Sequence, residues 1–279
     1  MSTIRNAFLQ GVFDRAAGTY TSVGPGYFNY FGERLIDLLK IKQGDSVLDI
    51  ASGRGASLFP AADVVGKAGK ITGIDFSEGM VLETKRVIKT NGYENIELLQ
   101  MDAENLNFDQ SVFDIAACGL SIQFFTDYKK SVNEMYRVLK PGGKVGISAW
   151  KRKESKPGVI ARVVPKYLPA NGQNVPPPPP NRPDFGDEQF LEDMLGQAGF
   201  KNIKIINERR MFFYKDFEEF WQEQWSHGGR ATFETIEKHG AERLQSFKNE
   251  LFDEFTKEYG QDEIPFDANV LVATGKKGD

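Results

Sequence analysis

Val47-Leu48-Asp49-Ile50-Ala51-Ser52-Gly53-Arg54-Gly55 is the stretch that decides the fold. Val47, Leu48 and Ile50 form an apolar run broken only by Asp49, the pattern of a strand buried on both faces of a parallel sheet. The small residues Ala51, Ser52, Gly53 and Gly55 then make a tight turn, where the backbone can approach a ligand that a Cβ would keep away. A ligand over such a turn sits at the carboxyl edge of the sheet. There Asp49 can accept a hydrogen bond from an ammonium group, directly or through water.

Outward from this stretch, β-branched runs alternate with helical patterns, the signature of βαβ units. Strands are expected at residues 46–50, 70–74, 96–101, 113–118 and 144–150, and helices at 58–65, 78–90 and 128–139. Ser77 reads as an N-cap, Gly92 as a helix terminator, and Pro141-Gly142-Gly143 as the turn into the fifth strand. Residues 1–40 read as a helical cap of two helices separated by 18–26, and 41–150 as the ligand-binding core. Residues 151–183, with prolines at 176–180, read as an extended connector. Residues 184–214 and 261–279 complete the sheet, and 215–260 form a helical insertion between the last two strands.

The 279 residues suffice for one sizeable core with an appendage. No apolar run is long enough to span a bilayer and no leader pattern precedes Ala7, so the sequence reading places the protein in the cytoplasm, away from membranes. One cysteine excludes an internal disulfide and, with only two histidines, leaves no material for a cysteine- or histidine-built metal site. The net charge of -4 disfavours nucleic acid and favours a small molecule as partner. Oligomeric state has no signature in the sequence.

Asp75 follows Asp49 by 26 residues at the end of the neighbouring strand, a position suited to two ribose hydroxyls. Asp102 and Ala103 follow the third strand, where a carboxylate can take an adenine amino proton and a backbone N–H can meet a ring nitrogen. Gly119 follows the fourth strand. The glycine turn alone is weak evidence, but the joint pattern is strong. A dinucleotide-dependent oxidoreductase, the rival enzyme reading, normally has a third small residue where Leu58 stands, which favours a ligand without a pyrophosphate.

With these motifs in order, together with Met135-Tyr136-Arg137-Val138-Leu139-Lys140-Pro141-Gly142-Gly143, residues 45–150 resemble the class I S-adenosylmethionine-dependent methyltransferases, especially the small-molecule ubiquinone/menaquinone-biosynthesis-like group. The resemblance implies an α/β, Rossmann-like sheet of seven strands flanked by helices, its last strand antiparallel and inserted between the fifth and sixth. Residues 203–214 and 269–274 fit the closing hairpin. S-adenosylmethionine would lie on Asp49, Ala51, Ser52, Gly53, Gly55, Asp75, Asp102, Ala103 and Gly119, with Phe76 and Met80 against adenine. Tyr20 of the cap would stand over the methionine end. The family commonly has threonine where this chain has Arg54.

The expected reaction is methyl transfer to an O, N or C atom of a small, partly apolar metabolite by in-line displacement, in which positioning and water exclusion supply much of the rate. Tyr20 and His227 are the candidate bases for a phenol or carbon acid, with a polar loop residue the plainer role for His227. Phe217, Phe220, Trp221 and Trp225 have near-helical spacing and read first as packing. Cys118-Gly119-Leu120-Ser121 stands where amine methylases carry Asn/Asp-Pro-Pro-aromatic, and it supplies no aspartate for magnesium. A noncatalytic module that senses the same cofactor is the remaining alternative.

Overall fold

The structure, a computed structural model, describes residues 2–151, 158–169, 182–260 and 263–278. The proline run at 176–180 lies outside the described residues. The chain divides into two compact units. A sheet unit comprises Phe28–Arg152, Asn181–Arg209 and Asn269–Asp279, and a helical unit comprises Met1–Tyr27, Lys153–Pro180 and Arg210–Ala268.

Seven strands form one sheet: β1 (Ser46–Ile50), β2 (Lys70–Asp75), β3 (Ile96–Gln100), β4 (Phe113–Cys118), β5 (Leu139–Trp150), β6 (Lys201–Tyr214) and β7 (Ile264–Lys276). Their order is β3-β2-β1-β4-β5-β7-β6. The pairs from β3 through β5 are parallel, and β7 runs antiparallel to β5 with Trp150 opposite Val270. This is the Rossmann-like arrangement expected, with the late strand inserted before the sixth. Val47, Leu48 and Ile50 are fully buried because both faces are covered by helices.

The covering helices are α2 (Tyr27–Leu39), α3 (Leu58–Val65), α4 (Glu78–Asn91), α5 (Tyr128–Val138) and α7 (Glu188–Gln197). In α2, Phe31, Leu35, Ile36 and Leu39 recur at helical spacing and are buried, each stabilising the fold by about 1.5–3 kcal/mol. Gly146 of β5 permits that approach, since a Cβ there would lie 2.9 Å from Leu35 and Leu39 carbons. Arg34 ties the same helix to Glu208 of β6 at 2.8 Å. In α4 the Ser77 hydroxyl accepts from the Met80 N–H at 3.1 Å, and Gly92 ends the helix in the left-handed region. Arg137 of α5 braces its surroundings by donating to the Phe108 and Leu106 carbonyls.

Two local expectations need correction. Pro141-Gly142-Gly143 does not precede β5 but lies within it: the strand begins at Leu139, directly after α5, and the extra residues form a bulge between the Phe113–Leu139 and Ile115–Lys144 pairs. The segment read as an extended connector contains a helix, α6 (Val159–Tyr167), whose Val159 and Val163 are buried four residues apart. The insertion is three helices, α8 (Phe217–Trp225), α9 (Arg230–Glu237) and α10 (Ala241–Tyr259), interrupted at Gly228-Gly229 and Gly240.

The helical unit contains α1 (Ser2–Ala16), α6, α8, α9 and α10, while α2 falls almost entirely in the sheet unit. Its core is aromatic. Phe220, Trp221, Phe233, Phe247 and Phe255 are buried together, with ring centroids 4.6 Å apart for Phe220–Phe255 and 4.7 Å for Trp221–Phe233. Glu234 of α9 joins Arg15 of α1 at 2.6 Å and Arg230 at 2.7 Å.

Candidate functional site

At the carboxyl end of β1, Asp49 lies between Gly73 of β2 and Ala117 of β4 and is 1% exposed. Its Oδ1 accepts from the Ser57 hydroxyl at 2.7 Å, whereas its Oδ2 is buried with no hydrogen-bond partner. Burial pushes its pKa up from 3.8 to about 7; the Ser57 hydrogen bond opposes this shift, and the nearby Asp75 charge adds to it. The Ser52 hydroxyl, in the following turn, is likewise buried and unpartnered. Buried polar atoms are ordinarily satisfied, so two orphans beside one glycine turn leave hydrogen-bonding capacity there uncommitted.

The turn itself is left-handed at Ala51 (φ 55°), Gly53 (φ 50°) and Gly55 (φ 88°). Ala51 carries the strain of that region with a Cβ. A Cβ on Gly55 would strike the Phe59 ring, and one on Gly32 of α2 would fall on the Ala56 carbonyl. The helix therefore presses directly on the loop, a constraint that sequence reading missed. Gly32 lies inside an amphipathic helix and gives no local signal of the loop it meets.

Asp75, at the end of β2, accepts from the Gly53 N–H at 2.8 Å and from the Ser77 N–H at 2.9 Å. It thus fixes both the glycine turn and the start of α4. Phe76 beside it is half-buried, while Met80 is 1% exposed and belongs to the core. Asp102 is exposed after β3 and closes its own turn by accepting from the Glu104 N–H at 2.8 Å; Ala103 is buried. After β4, a Cβ added to Gly119 would meet only ordinary contacts at 3.7 Å. Cys118 is fully buried, and burial pushes its thiol pKa up, which removes it as a nucleophile.

Tyr20 and His227 belong to the helical unit. Tyr20 packs edge-on against Phe13, with centroids 6.3 Å apart. Both ring nitrogens of His227 face protein groups: Nδ1 accepts from the Gly229 N–H at 2.9 Å, and Nε2 lies 3.6 Å from Glu223 Oε2. This geometry fits the plainer loop role. Sequence reading missed Glu223, which looks like a solvent-facing residue of α8 but is 3% exposed. The Tyr214 hydroxyl donates to it at 2.5 Å, and Tyr27 hydrogen-bonds the same carboxylate. Burial raises the pKa of both phenols, which keeps them protonated as donors. Gly24 (φ 92°) brings its loop so close that a Cβ there would lie 2.6 Å from Glu223 Oε1.

Comparison with known proteins agrees with the geometry of the sheet unit. The sequence profile of the ubiE/COQ5 methyltransferase family matches residues 3–160. The chain is 28% identical to nocamycin O-methyltransferase of Saccharothrix syringae, over 95% of this chain and 97% of that enzyme. It is 31% identical to the demethylmenaquinone methyltransferase of Lactobacillus johnsonii, over 71% and 86% respectively. Against the corresponding enzymes of Staphylococcus epidermidis and Bacillus subtilis, the match spans 46% and 60% of their lengths. The fold is also that of the YcgJ protein of Bacillus subtilis (TM-score 0.60, 20% identity, 90% of this chain and 99% of that one). The chain belongs to the ubiE/COQ5 methyltransferase family and is an S-adenosylmethionine-dependent methyltransferase.

Proposed function

We propose that this enzyme methylates a hydroxyl oxygen of a small, partly apolar metabolite, and that the edge formed by β1, β2 and β4 holds the cofactor. Bound S-adenosylmethionine supplies an electrophilic methyl group on a sulfonium centre. The supporting observation is the unpartnered Oδ2 of Asp49, buried and close to neutral pH in its titration. A buried carboxylate in that condition gains a charge-assisted hydrogen bond when an ammonium group arrives.

In this reading Asp49 binds the cofactor's ammonium, and Ala51, Ser52, Gly53 and Gly55 admit its amino-acid end to the backbone. Asp75 orders the turn and stands at the end of β2, where its carboxylate meets the ribose hydroxyls. Phe76, rather than the buried Met80, presents a face to adenine, with Asp102 and Ala103 at its edge. Gly119, just past the end of β4, lies beneath the sulfur. His227 has no role in this chemistry because its nitrogens already face Gly229 and Glu223. Tyr20 remains the candidate for assisting an acceptor hydroxyl.

The likeness to nocamycin O-methyltransferase, which extends through the helical insertion as well as the sheet, supports an oxygen acceptor. Among the described residues no helix is long and apolar enough to cross a membrane, and a cytoplasmic setting suits the single reduced cysteine. Incubating the enzyme with metabolite extracts and methyl-labelled cofactor, then searching by mass spectrometry, should show one labelled product and release of S-adenosylhomocysteine. A labelled product carrying the methyl group on carbon or nitrogen would contradict the hydroxyl acceptor.

A further inference from the structure

The glycine turn after β1 is held peptide by peptide. The Ser52 N–H donates to the Ile74 carbonyl of β2 at 2.9 Å, the Gly53 N–H to Asp75 Oδ2 at 2.8 Å, and the Gly55 N–H back to the Ser52 carbonyl at 2.8 Å. The Gly53–Arg54 peptide lies between these. Its carbonyl accepts from the Thr84 hydroxyl of α4 at 2.9 Å, a contact that spans 31 residues.

Thr84 stands in the middle of α4 and is fully buried, together with Met80 and Val81 of the same helix. Threonine is a poorer helix former than alanine, and inside a helix its hydroxyl ordinarily bonds to the carbonyl three or four residues back. A hydroxyl has one hydrogen to donate, and here it leaves the helix for Gly53. The hydroxyl thus serves the turn, not the helix.

What the contact controls follows from the geometry of a peptide. The unit is planar and trans, so its C=O and N–H point in opposite directions. Gly53, left-handed at φ 50°, has no Cβ to resist rotation of that plane, so the turn alone does not choose which group faces a ligand. A carbonyl oxygen turned toward a carboxylate repels it, whereas an N–H donates to it. With the oxygen anchored on α4, the N–H side of the peptide faces away from that helix.

We infer that Thr84 is a positioning residue for the carboxylate of the cofactor: by holding the Gly53 oxygen against α4, it presents the N–H side of the Gly53–Arg54 peptide to that group. The inference rests on the proposed placement of S-adenosylmethionine at this turn, where Asp49 takes the ammonium and leaves the carboxylate to the backbone.

Calorimetry with two ligands tests it. S-adenosylhomocysteine carries the carboxylate; its decarboxylated analogue, S-adenosyl-3-thiopropylamine, keeps the adenosine, sulfur and amine but lacks that group. Wild type should bind the first about tenfold more tightly than the second. Thr84→Val keeps the shape of the side chain and removes the donor, and should weaken S-adenosylhomocysteine about fivefold while leaving the analogue unchanged. Thr84→Ala should do the same in a helix that alanine favours, which keeps the test open if valine perturbs the packing. Thr84→Ser retains the hydroxyl and should retain the wild-type ratio. Equal weakening of both ligands by Thr84→Val and Thr84→Ala, no change in either ligand, or failure of Thr84→Ser to keep the ratio overturns the role. Equal binding of the two ligands by wild type also overturns it, because the carboxylate is then not recognised at the turn. Failure of wild type to bind either ligand would instead overturn the cofactor placement on which the inference rests.

Discussion

Two buried carboxylates, Asp49 in the sheet unit and Glu223 in the helical unit, are treated in opposite ways. In the sheet unit, Asp49 Oδ2, Ser52 Oγ and Gln123 Oε1 are buried without partners, all near the carboxyl ends of β1 and β4. In the helical unit the carboxylate of Glu223 is equally buried, but Tyr214 and Tyr27 hydrogen-bond it and His227 lies beside it. A buried carboxylate is therefore not evidence of a binding site by itself. What distinguishes the two is whether the hydrogen-bonding capacity is already committed to the protein.

If that contrast is right, the sharpest way to break it is at Glu223. Glu223→Ala strands two buried phenols and should lower unfolding free energy by about 3 kcal/mol, read as a reduced urea midpoint, while calorimetric affinity for S-adenosylmethionine stays unchanged. A loss of cofactor affinity without loss of stability would reverse the roles of the two carboxylates.

Asp49→Asn should do the opposite, weakening S-adenosylmethionine binding by roughly tenfold to hundredfold while making the free protein more stable at pH 8. The sign follows from the titration: the folded pKa of about 7 lies above the ordinary 3.8, so the group's unfavourable contribution is absent below 3.8, grows as pH rises and is complete above 7. The shift corresponds to about 4 kcal/mol at most. Denaturation of both proteins at pH 8 without cofactor checks it.

Asp75→Ala removes the brace on Gly53 and Ser77 together with the acceptors offered to the ribose, and should weaken the cofactor by about tenfold. Unchanged affinity would contradict the ribose assignment. The same titration gives a smaller, graded effect. As pH falls from about 7.5 to 5.5, a range in which the ligand's amino group stays charged, wild-type affinity should drop by up to about tenfold per unit below 7, and Asp49→Asn should flatten the profile. A flat wild-type profile would show that Asp49 is not the group being titrated.

The sheet was legible because its signals are local and periodic. The apolar runs of β1 and β4, the cap at Ser77 and the terminator at Gly92 each declare themselves within a few residues. The bulge at Pro141-Gly142-Gly143 was not, because turn-forming residues read the same whether they end a helix or interrupt a ladder; β4 as a partner decides. The α6 helix was hidden by Pro165 and by the prolines that follow it, although Val159 and Val163 have helical spacing. At the site, the carboxylates at strand ends could be named from the sequence. What each carboxylate does depends on contacts made far along the chain: Asp75 reaches Gly53, Glu223 reaches Tyr27, and Gly32 yields to Ala56.

The most direct test of the central claim is a thermodynamic cycle combining Asp49→Asn with removal of the ligand's amino group. S-adenosylhomocysteine and its deaminated analogue are each titrated calorimetrically into wild-type and variant protein at pH 7.5. The account predicts that deamination costs wild type about tenfold to hundredfold in affinity and costs Asp49→Asn almost nothing. Equal losses in the two proteins would show that the ammonium group is held elsewhere and would contradict the assignment of Asp49.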